Sequence, residues 1–172
     1  DDGASLGLFS NAMFTAHEWD GGRVTSERAV AANPNSSMAL VCAGMNSGWL
    51  GRTEEAAEYF ERAASFGPTD PNLRFSMTGL AMVNRRRGKY EESAEFAKRS
   101  LAVGNHSSAH WNLITATVSL GRLAEARRYV DRFRVVSPHT TMASIQKGQP
   151  VVDERLLTPV LDALAVAGMP EA

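Results

Sequence analysis

The sequence predicts an all-α, right-handed solenoid: about four helical hairpins stacked side by side, closed by a C-terminal capping helix. Three observations predict it. A glycine-led segment with fixed internal spacing occurs three times, at intervals of 37 and 33 residues. Each copy follows a stretch whose small and apolar residues recur at helical spacing. The composition, 44% hydrophobic and 22% charged in 172 residues, is that of a chain with an ordinary apolar core. A chain of this length buries roughly 70% of its unfolded surface, so it needs no disulfide or metal to hold it.

The three segments are GRTEEAAEYFERAASFGP (51–68), GKYEESAEFAKRSLAVGN (88–105) and GRLAEARRYVDRFRVVSP (121–138). The first sets Gly51, Ala56, Phe60, Ala63 and Pro68 in the pattern. The second sets Gly88, Ser93, Ala97, Ser100 and Asn105, and the third Gly121, Ala126, Val130, Phe133 and Pro138. Small residues three and four apart fall on one helix stripe and let a second helix approach closely. The glycine is placed to end the preceding helix in a left-handed conformation. The proline follows a helix that it cannot continue.

The partner helices lie upstream of each glycine. The N-terminal stretch ASLGLFSNAMFTAHEW fits through Leu6, Phe9 and Met13. Its second helix is degenerate, with Gly22 where a small alanine is usual and Ser26 where a large apolar residue is usual, and it ends in Ala29 and Pro34. SMALVCAGMNSGWLG aligns Leu40, Ala43 and Gly44. LRFSMTGLAMVNRRRG aligns Met77, Leu80 and Ala81, and SSAHWNLITATVSLG aligns Leu113, Ile114 and Thr117. Beyond 138 the period breaks. A short helix is expected at about 140–147, stopped by Gln149-Pro150. Asp153 then reads as the N-cap of a helix carrying Leu156, Leu157, Val160, Leu161 and Leu164, with Thr158-Pro159 bending its first turn and Gly168 ending it. A stacked array needs its end covered, and residues 139–172 are the expected cap.

The repeated pattern resembles the tetratricopeptide repeat (TPR), an antiparallel helix pair of about 34 residues. Units fall at about 3–36, 37–70, 71–106 and 107–138, with an insertion at Thr69-Asp70-Pro71-Asn72. A narrower resemblance covers nearly the whole chain. ERAVAANPNSSMAL, then GWLGRTEEAAEYFERAASFGPTDP, and the close DERLLTPVLDALAVAGMPEA are similar to the C-terminal repeat region of bacterial class III adenylate/guanylate cyclase-like proteins. The same region follows winged-helix DNA-binding domains. The chain opens Asp1-Asp2-Gly3 without Met, as a piece of something longer would. The resemblance implies a non-catalytic interaction or regulatory module in a cytoplasmic protein. Its partner would be a protein or peptide segment, with the N-terminal part of the same protein a natural choice. The alternative is a structural module, a homodimer that joins two heads or a stand-alone scaffold.

The TPR resemblance also implies a binding face, because the first helices of such hairpins line a concave groove. Carried onto this sequence, that face takes Asn11 and Phe14 from the first unit and Met38, Val41, Met45 and Trp49 from the second. The third contributes Phe75, Met82, Arg85 and Arg86, and the fourth Trp111, Asn112 and Thr115. Methionine and aromatic residues suit an adaptable surface. Two readings stand side by side: a partner fills this face, or the tail or a second copy does. The clamp for a chaperone's terminal carboxylate is not expected, since Gly7 stands where that clamp needs lysine and only Asn11 matches.

Little else suggests chemistry. Net charge −1 gives no long-range field for nucleic acid or anionic lipid, and no apolar run approaches the roughly 18 residues of a membrane span. The single cysteine, Cys42, excludes an internal disulfide and has no activating neighbour in sequence. His106 and His110 are four apart, but without a nearby carboxylate or thiolate they read as capping or exposed residues. The pairs Glu54-Glu55 and Glu91-Glu92 complement helix dipoles. Arg85-Arg86-Arg87 closes a helix, where cations are favoured; an anionic partner docking there is the competing reading. No catalytic residue, cofactor or metal is expected.

Overall fold

Residues 2–172 are described here in a computed structural model. The first hairpin pairs α1 (Gly3–Thr15) with α2 (Trp19–Ala32), and the second α3 (Ser37–Trp49) with α4 (Thr53–Ala64). The third pairs α5 (Leu73–Arg86) with α6 (Tyr90–Val103), and the fourth α7 (Ser107–Ser119) with α8 (Leu123–Val136). The tail holds α9 (Met142–Gly148), a 3-10 turn (Glu154–Leu156) and α10 (Thr158–Val166). There is no strand among the described residues.

The turn within each of the last three hairpins is the same device. Gly51, Gly88 and Gly121 have φ of +78°, +72° and +75°, which a side chain would strain. The residue after each returns its amide to the carbonyl five positions back: Arg52 to Ser47, Lys89 to Asn84 and Arg122 to Thr117, at 2.9, 2.9 and 3.1 Å. Orphan carbonyls of the first helix are thereby satisfied, and the second helix starts in a fixed direction.

The seams between helices are built from small residues. Ala56, Ala63, Ala97 and Ala126 are completely buried. Phe60 is held against bare backbone on two sides. A Cβ on Gly79 would lie 2.4 Å from its ring, and one on Gly44 would lie 2.8 Å away. α1 approaches α3 in the same manner, since a Cβ on Gly7 would sit 3.2 Å from Ala39 Cα. The buried stripe of α1 is therefore Gly3, Gly7, Ser10 and Phe14. This corrects the sequence register of that helix: Phe9, expected on its packing face, is 59% exposed. Gly22 in the degenerate second helix gives the Phe14 ring its space, for a Cβ there would come within 2.6 Å of it.

Successive hairpins are also tied on the outside. Glu54 accepts from Arg87 (Nε at 3.1 Å), and one repeat later Glu91 accepts from Arg122 (Nη1 at 3.1 Å). These glutamates thus do more than face a helix dipole. Such exposed pairs are screened by water and contribute little to stability.

The tail closes the far end. Leu157, Val160, Leu164, Ala167 and Met169 pack onto Ile114, Val130 and Phe133 of the fourth hairpin. α9 begins with a capping box at Thr141 and Ser144. Its first amides are taken up by the end of the chain: Met142 N–H donates to Pro170 O (2.9 Å) and Ala143 N–H to Glu171 O (3.0 Å). The helix expected from Asp153 starts later. Asp153 caps only the 3-10 turn, and α10 begins beside Pro159. Proline has no amide to give and clashes inside a helix, so it is tolerated in the first turn and the helix starts there.

Candidate functional site

The inner face of the array is formed by α3, α5 and α7, and the tail runs across it. Val152 N–H donates to Trp49 O at 3.1 Å, joining the tail to the end of α3. Beneath this crossing lies a cavity of about 260 Å³. α3 supplies Met45 and Trp49 to it. α5 supplies Phe75, Thr78, Met82, Arg85 and Arg86, and the start of α7 supplies Ser108, Trp111 and Asn112. Gln149, Val151, Leu156 and Leu157 of the tail form its roof.

Eight of the residues placed on the groove by sequence therefore meet at one cavity: Met45, Trp49, Phe75, Met82, Arg85, Arg86, Trp111 and Asn112. The other five lie elsewhere. Phe14 is fully buried, its ring centroid 5.6 Å from that of Trp49. Val41 is buried with Leu40 and Ala63. Both are core residues: Phe14 fills the space beside Gly22, and the Val41 cluster is closed by Val30 of α2, Tyr59 of α4 and Phe75 of α5. Thr115 is buried with its hydroxyl unpartnered. Met38 is half-buried outside the cavity lining. Asn11 donates weakly to Cys42 Sγ (3.4 Å) and Met45 Sδ (3.8 Å).

The charge arrangement is uneven. The three consecutive arginines part company. Arg87 turns outward to Glu54. Arg85 is only 8% exposed and donates from Nε to Asn112 Oδ1 at 3.0 Å. Arg86 donates from Nη1 to Gly48 O at 2.8 Å and leaves its Nε buried without a partner. Among the described residues no carboxylate lines the cavity. Burial, with the adjacent Arg86 charge, pushes the Arg85 guanidinium down to about 10; burial alone lowers Arg86. Trp111 Nε1 and His106 Nδ1 are further buried donors or acceptors left open at this wall.

The histidines at the start of α7 and the single cysteine are held by local packing. His106 packs edge-on to Phe75 (5.1 Å), and His110 Nε2 bonds Asn105 Oδ1 (2.8 Å). Burial holds both rings below the ordinary histidine value, so they are neutral at pH 7. Burial pushes the Cys42 thiol up to about 12, which removes it as a nucleophile. Among the described residues no group of three or more His, Cys, Asp or Glu side chains is gathered as metal ligands would be.

Sequence reasoning missed the roof and the walls beside it: Gln149, Val151, Leu156, Leu157, His106, Ser108 and Thr78. That the tail would fill this face was one of the two sequence readings, but nothing in the sequence singled out which of its residues would cross it.

Residues 36–106 match the tetratricopeptide repeat family profile. No curated protein matches the chain. Among solved structures it is similar to pilF of Pseudomonas aeruginosa, with a TM-score of 0.68 and 12% identity over 95% of this chain and 73% of that one. A thermophilic TPR protein from Thermus thermophilus superposes with a TM-score of 0.65 at 16% identity, over 96% of this chain and 89% of that one. YrrB, described as a TPR protein with an unusual peptide-binding site, gives 0.59 at 16% identity, over 94% and 82%. At these identities the likeness is one of fold: the chain is a TPR-type solenoid.

Proposed function

We propose that this TPR-type array is a non-catalytic interaction module whose inner face receives a segment of a protein partner. The observation that carries it is the cavity between α3, α5 and α7, walled by Met45, Trp49, Phe75, Met82 and Trp111 and set on a rigid scaffold. The peptide-binding site named for YrrB is in keeping with such a use of the fold. The sequence similarity to the repeat region of class III cyclase-like proteins supports a finer reading. The module would belong to a cytoplasmic bacterial protein, and its partner would be the N-terminal head of that protein.

The test is to add such a head in trans and follow binding by calorimetry. Binding energy in interfaces concentrates in a few aromatic anchors, so Trp49→Ala and Trp111→Ala should each weaken it by about 2 kcal/mol or more with helicity unchanged. If the head does not bind, or both variants unfold, the groove reading fails.

A second reading, a homodimer that joins two heads, is favoured by one observation. Leu8 and Phe9 are 54% and 59% exposed on the outer side of α1. Sedimentation as a tight dimer, lost in Phe9→Ser, would support it.

A further inference from the structure

We infer that the roofed cavity is a binding site for a small organic acid with one carboxylate and a compact aromatic or branched apolar body. It lies on the face proposed above for a partner segment, and the tail that roofs it distinguishes the two uses: a small acid fits beneath the roof, whereas a segment would have to displace it.

Charge carries the assignment. Two adjacent guanidinium groups, Arg85 and Arg86, face a largely apolar cavity to which the described residues bring no carboxylate. All five ion pairs among the described residues involve other arginines: Arg23, Arg52, Arg87, Arg122 and Arg155. A buried cation without a counter-ion is costly, and two side by side are more so. The fold nonetheless orients them. Asn112 is held by donating to Ser108 O (2.9 Å), which turns its Oδ1 to Arg85 Nε. That bond leaves the Arg85 Nη groups free for a ligand. A planar carboxylate accepts two parallel bonds from such a fork, and its negative charge offsets the desolvation of the pair.

Shape carries the rest. A cavity of about 150 Å³ is enough for benzene. At about 260 Å³ this one has room for a ring and a short acidic arm. Trp49, Phe75, Met82, Trp111 and Leu157 supply apolar contact for the body. The unpartnered Trp111 Nε1 adds a neutral donor at the same wall. A polyanion would find too few donors and too much apolar surface. A neutral compound would leave both arginines uncompensated.

The experiment titrates the whole chain with 3-phenylpropionate, 4-methylpentanoate, the amide of each, and inorganic phosphate. Calorimetry and the melting midpoint are the readouts. The acids should bind saturably, raise the midpoint, and exceed their amides at least tenfold in affinity, while phosphate gives no saturable binding. Arg85→Met should lose that tenfold preference and at the same time raise the midpoint of the unliganded protein, because it removes an uncompensated buried cation. A residue that only braced the fold would lower it. Arg86→Gln, at the less buried position, should lose the preference with the fold intact. The inference is overturned if neither acid binds at concentrations of about 10 mM, beyond the roughly millimolar constants expected of so small a ligand. It is equally overturned if acids and amides bind alike, if phosphate binds as well as the acids, or if both variants keep the preference. Binding of a protein head in trans is read from its own calorimetry with Trp49→Ala and Trp111→Ala, so failure of that reading is distinguishable from each of these outcomes.

Discussion

The two ends of the array solve the same problem by opposite means. At the C-terminal end, large side chains of the tail cover Ile114, Val130 and Phe133, and Leu164 is completely buried among them. At the N-terminal end, α1 turns its small residues inward, Gly3, Gly7 and Ser10, and brings backbone close to backbone. Its large residues Leu8 and Phe9 stay at the surface. One end is thus sealed by added apolar volume and the other by removing side chains from the seam. The contrast teaches that apolar periodicity locates a helix better than it locates the helix's buried face.

The largest effect expected from this contrast is loss of the C-terminal seal. Removing 149–172 strips the cover from the fourth hairpin and takes the roof from the cavity. Each leucine-sized side chain buried contributes about 1.5–3 kcal/mol, so several of them approach the whole 5–15 kcal/mol of a domain's stability. The truncated chain should aggregate or melt far below the intact one. A melting curve that coincides with the intact protein's would show that the tail is an appendage.

At the N-terminal end the corresponding weight rests on one ring. Phe14→Ala should cost about 3–5 kcal/mol, because Phe14 fills the space left by Gly22 and abuts Trp49. Leu164→Ala at the other end should cost about 2–5 kcal/mol by the same cavity term. Chemical denaturation of both variants measures the contrast directly. A negligible cost for Phe14→Ala would mean that the first hairpin frays independently.

Acid should act more gently, and on the fourth hairpin. Burial lowers His106 and His110 below their ordinary value of 6.5. The unfolded chain therefore takes up protons more readily than the folded one. Their stabilising contribution is complete above pH about 6.5 and declines as the pH falls toward the folded values. Melting midpoints recorded downward from pH 7 should drop, and His110→Gln should flatten the decline. The smallest effect belongs to the exposed apolar residues of α1. Phe9→Ser should change stability by no more than about 0.5 kcal/mol in the monomer. A larger loss that depends on protein concentration would place Phe9 in an interface.

Much of this fold is readable along the chain because its determinants are local. The turn glycines, Gly51, Gly88 and Gly121, are specified by a backbone conformation that other residues resist. The helix that packs on the next turn needs small residues at fixed spacing, and Ala56, Ala63 and Ala126 supply them. The TPR resemblance, not spacing alone, brought the cavity's core to notice, from Met45 and Trp49 through Phe75, Met82, Arg85 and Arg86 to Trp111 and Asn112. What spacing could not settle was which candidate residues other helices would cover. Phe14 and Val41 were placed on the same face as Met45 and Trp49, and only their packing against other helices separates core from cavity. The delayed start of α10 was legible in Pro159, whose ring admits only the first turn of a helix. The path of residues 149–157 was not, because an extended segment has no periodicity, and its course is set by what it touches. Sequence by itself determined the repeating hairpin, since that rests on dihedral preference and helical spacing within some 34 residues. Tertiary structure alone decided that Arg85 and Arg86 would face a roofed cavity while Arg87 meets Glu54, because burial and charge pairing arise only when separate repeats and the tail come together.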